Sequence, residues 1–86
     1  MQEILQRAID KYGKQMQMVV AMEEMAELTK ELSKALRGKP NTTSIAEEIA
    51  DVEIMLGQIK IIFDCEEYVH DMEDYKLKRL SRRLGE

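Results

Sequence analysis

The sequence predicts an all-α fold of four helices in a single domain that spans residues 1–86. Apolar residues recur three and four positions apart along most of the chain, which is the spacing of one helix face. No segment alternates apolar and polar residues as a half-buried strand would, and one proline and four glycines leave few breaks. A chain this short buries only about 60–65% of its unfolded surface. We therefore expect the four-helix bundle to be completed by oligomerisation.

Glycine and proline divide the chain into its elements. The spacing predicts helices over residues 2–12, 14–37, 45–63 and 65–84. Gly13 separates the first helix from the second. The clearest loop surrounds Pro40, and Gly38 before it suits the left-handed residue that ends a helix. The third helix is apolar almost all round, which is typical of a central buried helix.

Two segments have the form of helix N-caps. Ser44 is followed three residues later by Glu47, which is the spacing of a capping box in which each side chain bonds the other residue's backbone N–H. Asp64 and Glu67 repeat this spacing just before the fourth helix. We expect both pairs to cap the helices that they precede.

Charge and residue counts exclude several classes of function. Lys and Arg total 13 against 17 Asp and Glu, whereas nucleic-acid binding needs a basic surface. One cysteine and one histidine exclude an internal disulfide, a cysteine-cluster zinc site and an HExxH site. The longest apolar run, residues 18–22, is far shorter than a membrane helix of about 20 residues, and the N-terminus lacks the apolar core of a signal peptide. We expect a cytoplasmic protein with no nucleic-acid or membrane partner.

Four carboxylates stand within apolar helical sequence. Glu24 and Glu27 share one face of the second helix, and Glu48 and Asp51 repeat their spacing on the third. Two like charges about 4 Å apart repel by about 4 kcal/mol at an effective dielectric constant of 20, and Lys60 is the only base on the third helix. A single acidic pair is usually a solvated face, but two pairs joined by one hairpin favour a divalent cation with carboxylate ligands. We expect the pairs to be offset by one to two helical turns.

The two acidic segments resemble the motifs of a known superfamily. Residues 23–28, EEMAEL, and residues 47–52, EEIADV, are similar to the EExxEL and EExxDV motifs of the MazG-like all-α nucleoside triphosphate pyrophosphohydrolases. That superfamily includes dimeric dUTPases and phosphoribosyl-ATP pyrophosphohydrolases. Residues 74–80, DYKLKRL, resemble its closing segment. The resemblance covers approximately residues 15–84.

The resemblance implies a reaction and a set of site residues. It implies a Mg²⁺ site, with Mn²⁺ as the alternative ion, formed by Glu24, Glu27, Glu48 and Asp51. Lys76 and Arg79 would neutralise the triphosphate of a nucleoside triphosphate substrate, and Glu27 would accept the proton of the attacking water. The products would be a nucleoside monophosphate and pyrophosphate, in a role of nucleotide-pool cleansing. The resemblance also implies a homodimer or homotetramer with the site near an interface.

Three interpretations of other residues stay open. Tyr12, Gln15 and Gln17 are candidates for a base pocket, although polar residues at a helix start are more often structural. Glu67 and His70 form a Glu-x-x-His motif, which two copies could combine into a di-iron or di-manganese centre. Finally, the chain could be a non-catalytic helical oligomerisation or partner-binding module that uses an adaptable surface. Its methionines would be Met16, Met18, Met22 and Met25, which we expect instead to belong to the core.

Overall fold

The computed structural model describes residues 2–86, which form four α-helices and no strand. The helices are α1 (Gln2–Tyr12), α2 (Lys14–Leu36), α3 (Thr42–Ile62) and α4 (Glu66–Arg83). The predicted all-α class and the number of helices are confirmed. None of the four helices is both long enough and apolar enough to cross a membrane.

Glycines in the left-handed region end two of the helical segments, as predicted. Gly13 has φ 92° and lies between α1 and α2, and Gly38 has φ 88° just after α2. At the second break the Gly38 N–H donates to the Ala35 carbonyl (2.9 Å) and the Lys39 N–H to the Lys34 carbonyl (3.1 Å). This pair of bonds is the Schellman arrangement, which satisfies the last carbonyls of a helix.

The predicted capping box at Ser44 is wrong. Helix α3 begins at Thr42, so that Ser44 lies inside its first turn, and no side chain caps its N-terminus. The residue at the N-cap position is Asn41. Its amide Nδ2 donates instead to Glu31, at 2.9 Å from the backbone oxygen and 2.8 Å from Oε1. A contact between α2 and the loop has therefore replaced a local cap and moved the helix start back by three residues.

The second predicted cap is also wrong. Asp64 has φ 49° and belongs to the end of α3, while Cys65 occupies the N-cap position of α4 without a side-chain bond. The Asp64 N–H donates to the Ile61 carbonyl and the Cys65 N–H to the Lys60 carbonyl, at 3.1 and 3.0 Å. Asp64 thus occupies the left-handed position that Gly38 occupies after α2. Aspartate tolerates this conformation better than most residues do.

The antiparallel hairpin of α2 and α3 is the centre of the fold. Helix α1 packs against both of its helices and buries Leu5 and Ile9. It approaches α3 so closely that a Cβ added at Gly57 would lie 2.8 Å from Leu5 Cδ1. The backbone of α4 comes close only to α3, and α4 has no buried residue.

Little of the apolar surface is buried within one chain. Among residues 2–86, five hydrophobic residues are buried, namely Leu5, Ile9, Ala21, Val52 and Met55. The expectation that the methionines of α2 belong to the core is wrong for Met16, Met22 and Met25, which are exposed. Helix α3 is central but not enclosed, because Ile49 and Leu56 are also exposed. The Cα radius of gyration is 15.7 Å, whereas a compact domain of this length would have about 12 Å.

Candidate metal centre

The candidate site lies between α2 and α3, and hydrogen bonds at two places along these helices fix its register. Gln17 Nε2 donates to Gln58 Oε1 at 2.8 Å between buried side chains. A step of seven residues forward along α2 and seven back along α3 then brings Glu24 level with Asp51. At the loop end, Asn41 already lies beside Glu31. The loop folds back over the end of α2. As a result, the pair Glu24 and Glu27 lies at the same height along the hairpin as the pair Glu48 and Asp51, and the expected offset of one to two helical turns is absent.

Three of the four predicted metal ligands converge. Glu24, Glu48 and Asp51 each offer one carboxylate oxygen, and these oxygens all lie within 4.8 Å of one another. Glu24 and Glu48 are half-buried and Asp51 is exposed. We call these three residues the acidic cluster. It is the only group of three or more potential metal-ligating side chains among residues 2–86.

Burial and mutual repulsion both disfavour ionisation in the acidic cluster. Desolvation raises the pKa of Glu24 above its ordinary value, and the charge of Asp51 raises it further. The hydrogen bond that protonated Glu24 can donate to Asp51 also raises this pKa, because it stabilises the neutral form. The pKa of Glu48 is raised for the same leading reason, desolvation, followed by the charge of Asp51. A nearby positive charge would reverse these effects, since it favours the ionised form.

One oxygen of the acidic cluster is buried without a partner. Glu48 Oε2 accepts no hydrogen bond from any of the described residues. Buried carboxylate oxygens are usually satisfied by a donor, an ordered water or an ion. The donor set consists only of carboxylates, which hard divalent cations such as Mg²⁺, Mn²⁺ and Ca²⁺ prefer. The residues of the cluster therefore fit such a cation.

Glu27, the fourth predicted ligand, stands beside the acidic cluster and outside it. Its side chain is exposed, and its charge contributes to raising the pKa of both Glu24 and Glu48. It is near enough to interact with the cluster through its charge.

Glu31 is a further acidic residue of this interface that the sequence interpretation missed. It is buried, and its carboxylate accepts hydrogen bonds from Asn41 Nδ2 (2.8 Å) and Lys34 Nζ (3.1 Å). The bond from Asn41 lowers the pKa of Glu31, and the bond from Lys34 adds to the effect. The spacing of Glu31 and Lys34 on one helix could have indicated this ion pair. The contribution of Asn41 depends on the fold and has no local signal.

The two predicted phosphate-binding residues are not at the acidic cluster within one chain. Lys76 is exposed and Arg79 half-buried on α4, whose backbone does not approach α2. No salt bridge joins either residue to an acidic group in the part of the chain that the structure describes.

The residues of the other interpretations have separate positions. Tyr12 and Gln15 are exposed at the junction of α1 and α2, whereas Gln17 is buried against Gln58 and so cannot line an open base pocket. Glu67 and His70 are exposed on α4, and neither belongs to a metal-ligating group among residues 2–86. His70 lies 3.8 Å from Asp71 in a solvent-exposed pair.

Comparisons of the chain with protein-family models, with curated proteins and with solved structures gave no match.

Proposed function

We propose that this chain is a divalent-cation-dependent hydrolase of nucleoside triphosphates, which releases a nucleoside monophosphate and pyrophosphate. The observation that carries the proposal is the convergence of three carboxylates within 4.8 Å, with Glu48 Oε2 buried and unpartnered. The choice of substrate rests on the resemblance of the two acidic motifs to the MazG-like superfamily. A role in cleansing of the nucleotide pool follows from the same resemblance.

Glu31 serves as an internal comparison for the acidic cluster. Glu31 and the acidic cluster both lie along the α2–α3 interface. The carboxylate of Glu31 accepts hydrogen bonds from Lys34 and Asn41, which lower its pKa. Glu24 and Glu48 have raised pKa values that are caused by burial and by other acids. The chain thus supplies Lys34 and Asn41 to stabilise the negative charge of Glu31, but it supplies no such partner for the acidic cluster. This contrast supports a charge supplied from outside the chain.

The proposed roles follow from position and charge. Glu24, Glu48 and Asp51 would hold Mg²⁺ or Mn²⁺, which supplies positive charge against the triphosphate and acidifies bound water. Exposed Glu27 would accept the proton of the attacking water as the bond between the α- and β-phosphates breaks. Lys76 and Arg79 would contact phosphate oxygens. Because α4 lies away from the acidic cluster, this contact requires α4 to move or to come from a second copy.

The test is a screen of the purified chain against nucleoside and deoxynucleoside triphosphates with Mg²⁺, in which pyrophosphate release is measured. We expect Asp51→Asn to lower turnover by at least about 10²-fold, the scale of losing one electrostatic stabiliser in an active site. Glu53→Gln is the matched control, since it removes a charge from an exposed residue two positions along the same helix. No turnover of any triphosphate by the wild-type chain, or equal turnover in both variants, would contradict the proposal.

A non-catalytic partner-binding module is the second candidate, and the exposed methionines of α2 favour it. Methionine-rich surfaces adapt to several partners. This function requires no cation, so it predicts a melting temperature that is independent of Mg²⁺ and a chain without pyrophosphate release. Calorimetric titration with Mn²⁺, for the wild type and for Glu48→Gln, separates the two candidates.

A further inference from the structure

Only three polar residues are buried among residues 2–86, and all three take part in hydrogen bonds that tie α2 to α3 or to the loop before it. They are Gln17, Glu31 and Gln58, which are 7%, 8% and 3% exposed. Gln17 and Gln58 bond each other, and we call this contact the glutamine bridge. Glu31 accepts two hydrogen bonds from Asn41 at the N-cap position of α3, and we call this contact the asparagine bridge.

The two bridges lie on either side of the acidic cluster at the same distance from it. Each bridge residue is separated by seven positions from a member of the cluster on its own helix. The pairs are Gln17 and Glu24, Glu31 and Glu24, Asn41 and Glu48, and Gln58 and Asp51. Seven residues make about two helical turns, or about 10.5 Å along the axis, and return to nearly the same helix face. The bridges and the cluster therefore form one line of polar contacts along the α2–α3 interface.

Stability alone does not account for these buried polar groups. Apolar residues of the same shape in place of both partners of a buried hydrogen bond are often equally stable. Asn41 also keeps its Oδ1 buried without a partner among the described residues, which is unfavourable. A buried polar pair does specify one register between two helices, because sliding one helix along the other would leave its donor and acceptor unpaired.

We propose that the two bridges position the acidic cluster for its cation, so that Gln17, Gln58 and Asn41 are positioning residues of the site. The proposal rests on the proposed function, because it takes the acidic cluster to be a cation site. Ligand distances in metal sites are held to within about 0.2 Å. A slip of one helix by a single residue would displace its carboxylates by about 1.5 Å, which is enough to take them out of reach.

The glutamine bridge is tested by calorimetric titration of Mn²⁺ into the full chain at pH 7.5, at a temperature where circular dichroism shows each variant folded. Gln17→Leu combined with Gln58→Leu removes the bridge and leaves two apolar residues, whereas Gln58→Ala leaves Gln17 unpaired. We expect the dissociation constant for Mn²⁺ to rise at least about ten-fold in both, although urea unfolding should show that the double variant is the more stable. If the bridge only stabilised the fold, the double variant would keep its affinity.

The asparagine bridge is tested by Asn41→Asp. Aspartate is as good an N-cap residue as asparagine, but its carboxylate cannot donate a hydrogen bond to Glu31. We expect the dissociation constant for Mn²⁺ to rise at least about ten-fold, although an added negative charge by itself would favour cation binding. Adding Glu31→Gln returns a donor to the pair and should recover most of the lost affinity.

The control is Gln6→Leu, which removes an exposed glutamine that bonds Asp10 on α1 and should leave the affinity for Mn²⁺ unchanged. Full affinity in the double leucine variant and in Asn41→Asp would overturn this proposal and leave the proposed function intact. Losses of affinity that follow the losses of stability, with no recovery on adding Glu31→Gln, would overturn it as well. A wild-type chain that binds no Mn²⁺ would overturn both this proposal and the proposed function.

Discussion

Removing one charge from the acidic cluster should stabilise the cation-free protein while it abolishes activity. The perturbation is Glu24→Gln, which preserves the shape of the side chain and provides an amide that can donate to Asp51. Two unit charges 4.8 Å apart repel by about 0.9 kcal/mol in water and about 3.5 kcal/mol at an effective dielectric constant of 20. Asp51 is exposed, so solvent screening makes the lower value the appropriate one.

A gain of about 1 kcal/mol corresponds to a rise in melting temperature of about 4–8 °C for a domain of this size. The assay is thermal unfolding, followed by circular dichroism at pH 7.5 with a chelator present. The same protein should lose at least about 10²-fold in pyrophosphate release, and Mg²⁺ should no longer raise its melting temperature. Glu23→Gln, which changes the exposed neighbour of Glu24, is the control and should leave all three measurements unchanged.

The stability gain of Glu24→Gln should also depend on pH. The folded chain raises the pKa of Glu24 above its ordinary value of 4.5, so above pH 4.5 the folded state binds more protons than the unfolded state. The stability that the raised pKa of Glu24 contributes is therefore fully present below pH 4.5, and it is lost as the pH rises through the pKa of Glu24 in the folded state. The gain should therefore be small at pH 4.5 and larger at pH 7.5. A variant that is less stable than wild type in chelator at pH 7.5 would refute the electrostatic reasoning.

Three further perturbations test other parts of the molecule. Gln58→Ala leaves the buried Gln17 amide unpaired and should lower the free energy of unfolding in urea by about 1–3 kcal/mol. Replacing both glutamines with leucine should lower it by less. An equal or larger loss in the double variant would contradict this role of the hydrogen bond. Asp64→Gly should raise the free energy of unfolding by up to about 1 kcal/mol, because glycine adopts the left-handed φ of 49° at this position without steric cost. A lower free energy of unfolding in this variant would show that Asp64 is unstrained. Arg79→Ala should raise KM for the triphosphate about ten-fold or more at an unchanged melting temperature, whereas an unchanged KM would exclude Arg79 from phosphate binding.

The number and the class of the helices could be predicted because they depend on local features. Apolar spacing needs no knowledge of the rest of the fold. Gly13 and Gly38 end helices because their positive φ values favour a residue without a side chain. Helix α1 accordingly has the predicted bounds, and α2 ends one residue before its prediction.

The helix starts could not be predicted, because contacts distant in sequence decide them. Ser44 and Glu47 match a capping box, but Asn41 bonds Glu31 ten residues earlier and α3 begins at Thr42. A local motif is only one of several ways to satisfy the first N–H groups of a helix. Asp64 could either cap the start of α4 or adopt the left-handed conformation that ends α3. It adopts the left-handed conformation, so it does not cap α4.

The candidate site was predictable in composition and only partly in arrangement. The spacing of acids on two helices indicated a shared face, and the hairpin register then brought three of them together. The register itself depends on the Gln17–Gln58 bond and on the folding back of the loop at Asn41. Neither has a local sequence signal. The position of α4 also has no local sequence signal. Helix α4 makes few contacts with the rest of the chain and none with α2, so Arg79 lies away from the acidic cluster.

Repulsion at the acidic cluster and apolar burial act on the same structural element in opposite directions. Repulsion among Glu24, Glu48 and Asp51 disfavours closure of the α2–α3 hairpin, and burial of apolar side chains in the core favours it. A cation at the acidic cluster would bind only the folded hairpin, because the three carboxylates come from two helices, and it would therefore stabilise the fold. The melting temperature should then rise with the concentration of Mg²⁺ in the wild type and stay constant in Glu24→Gln.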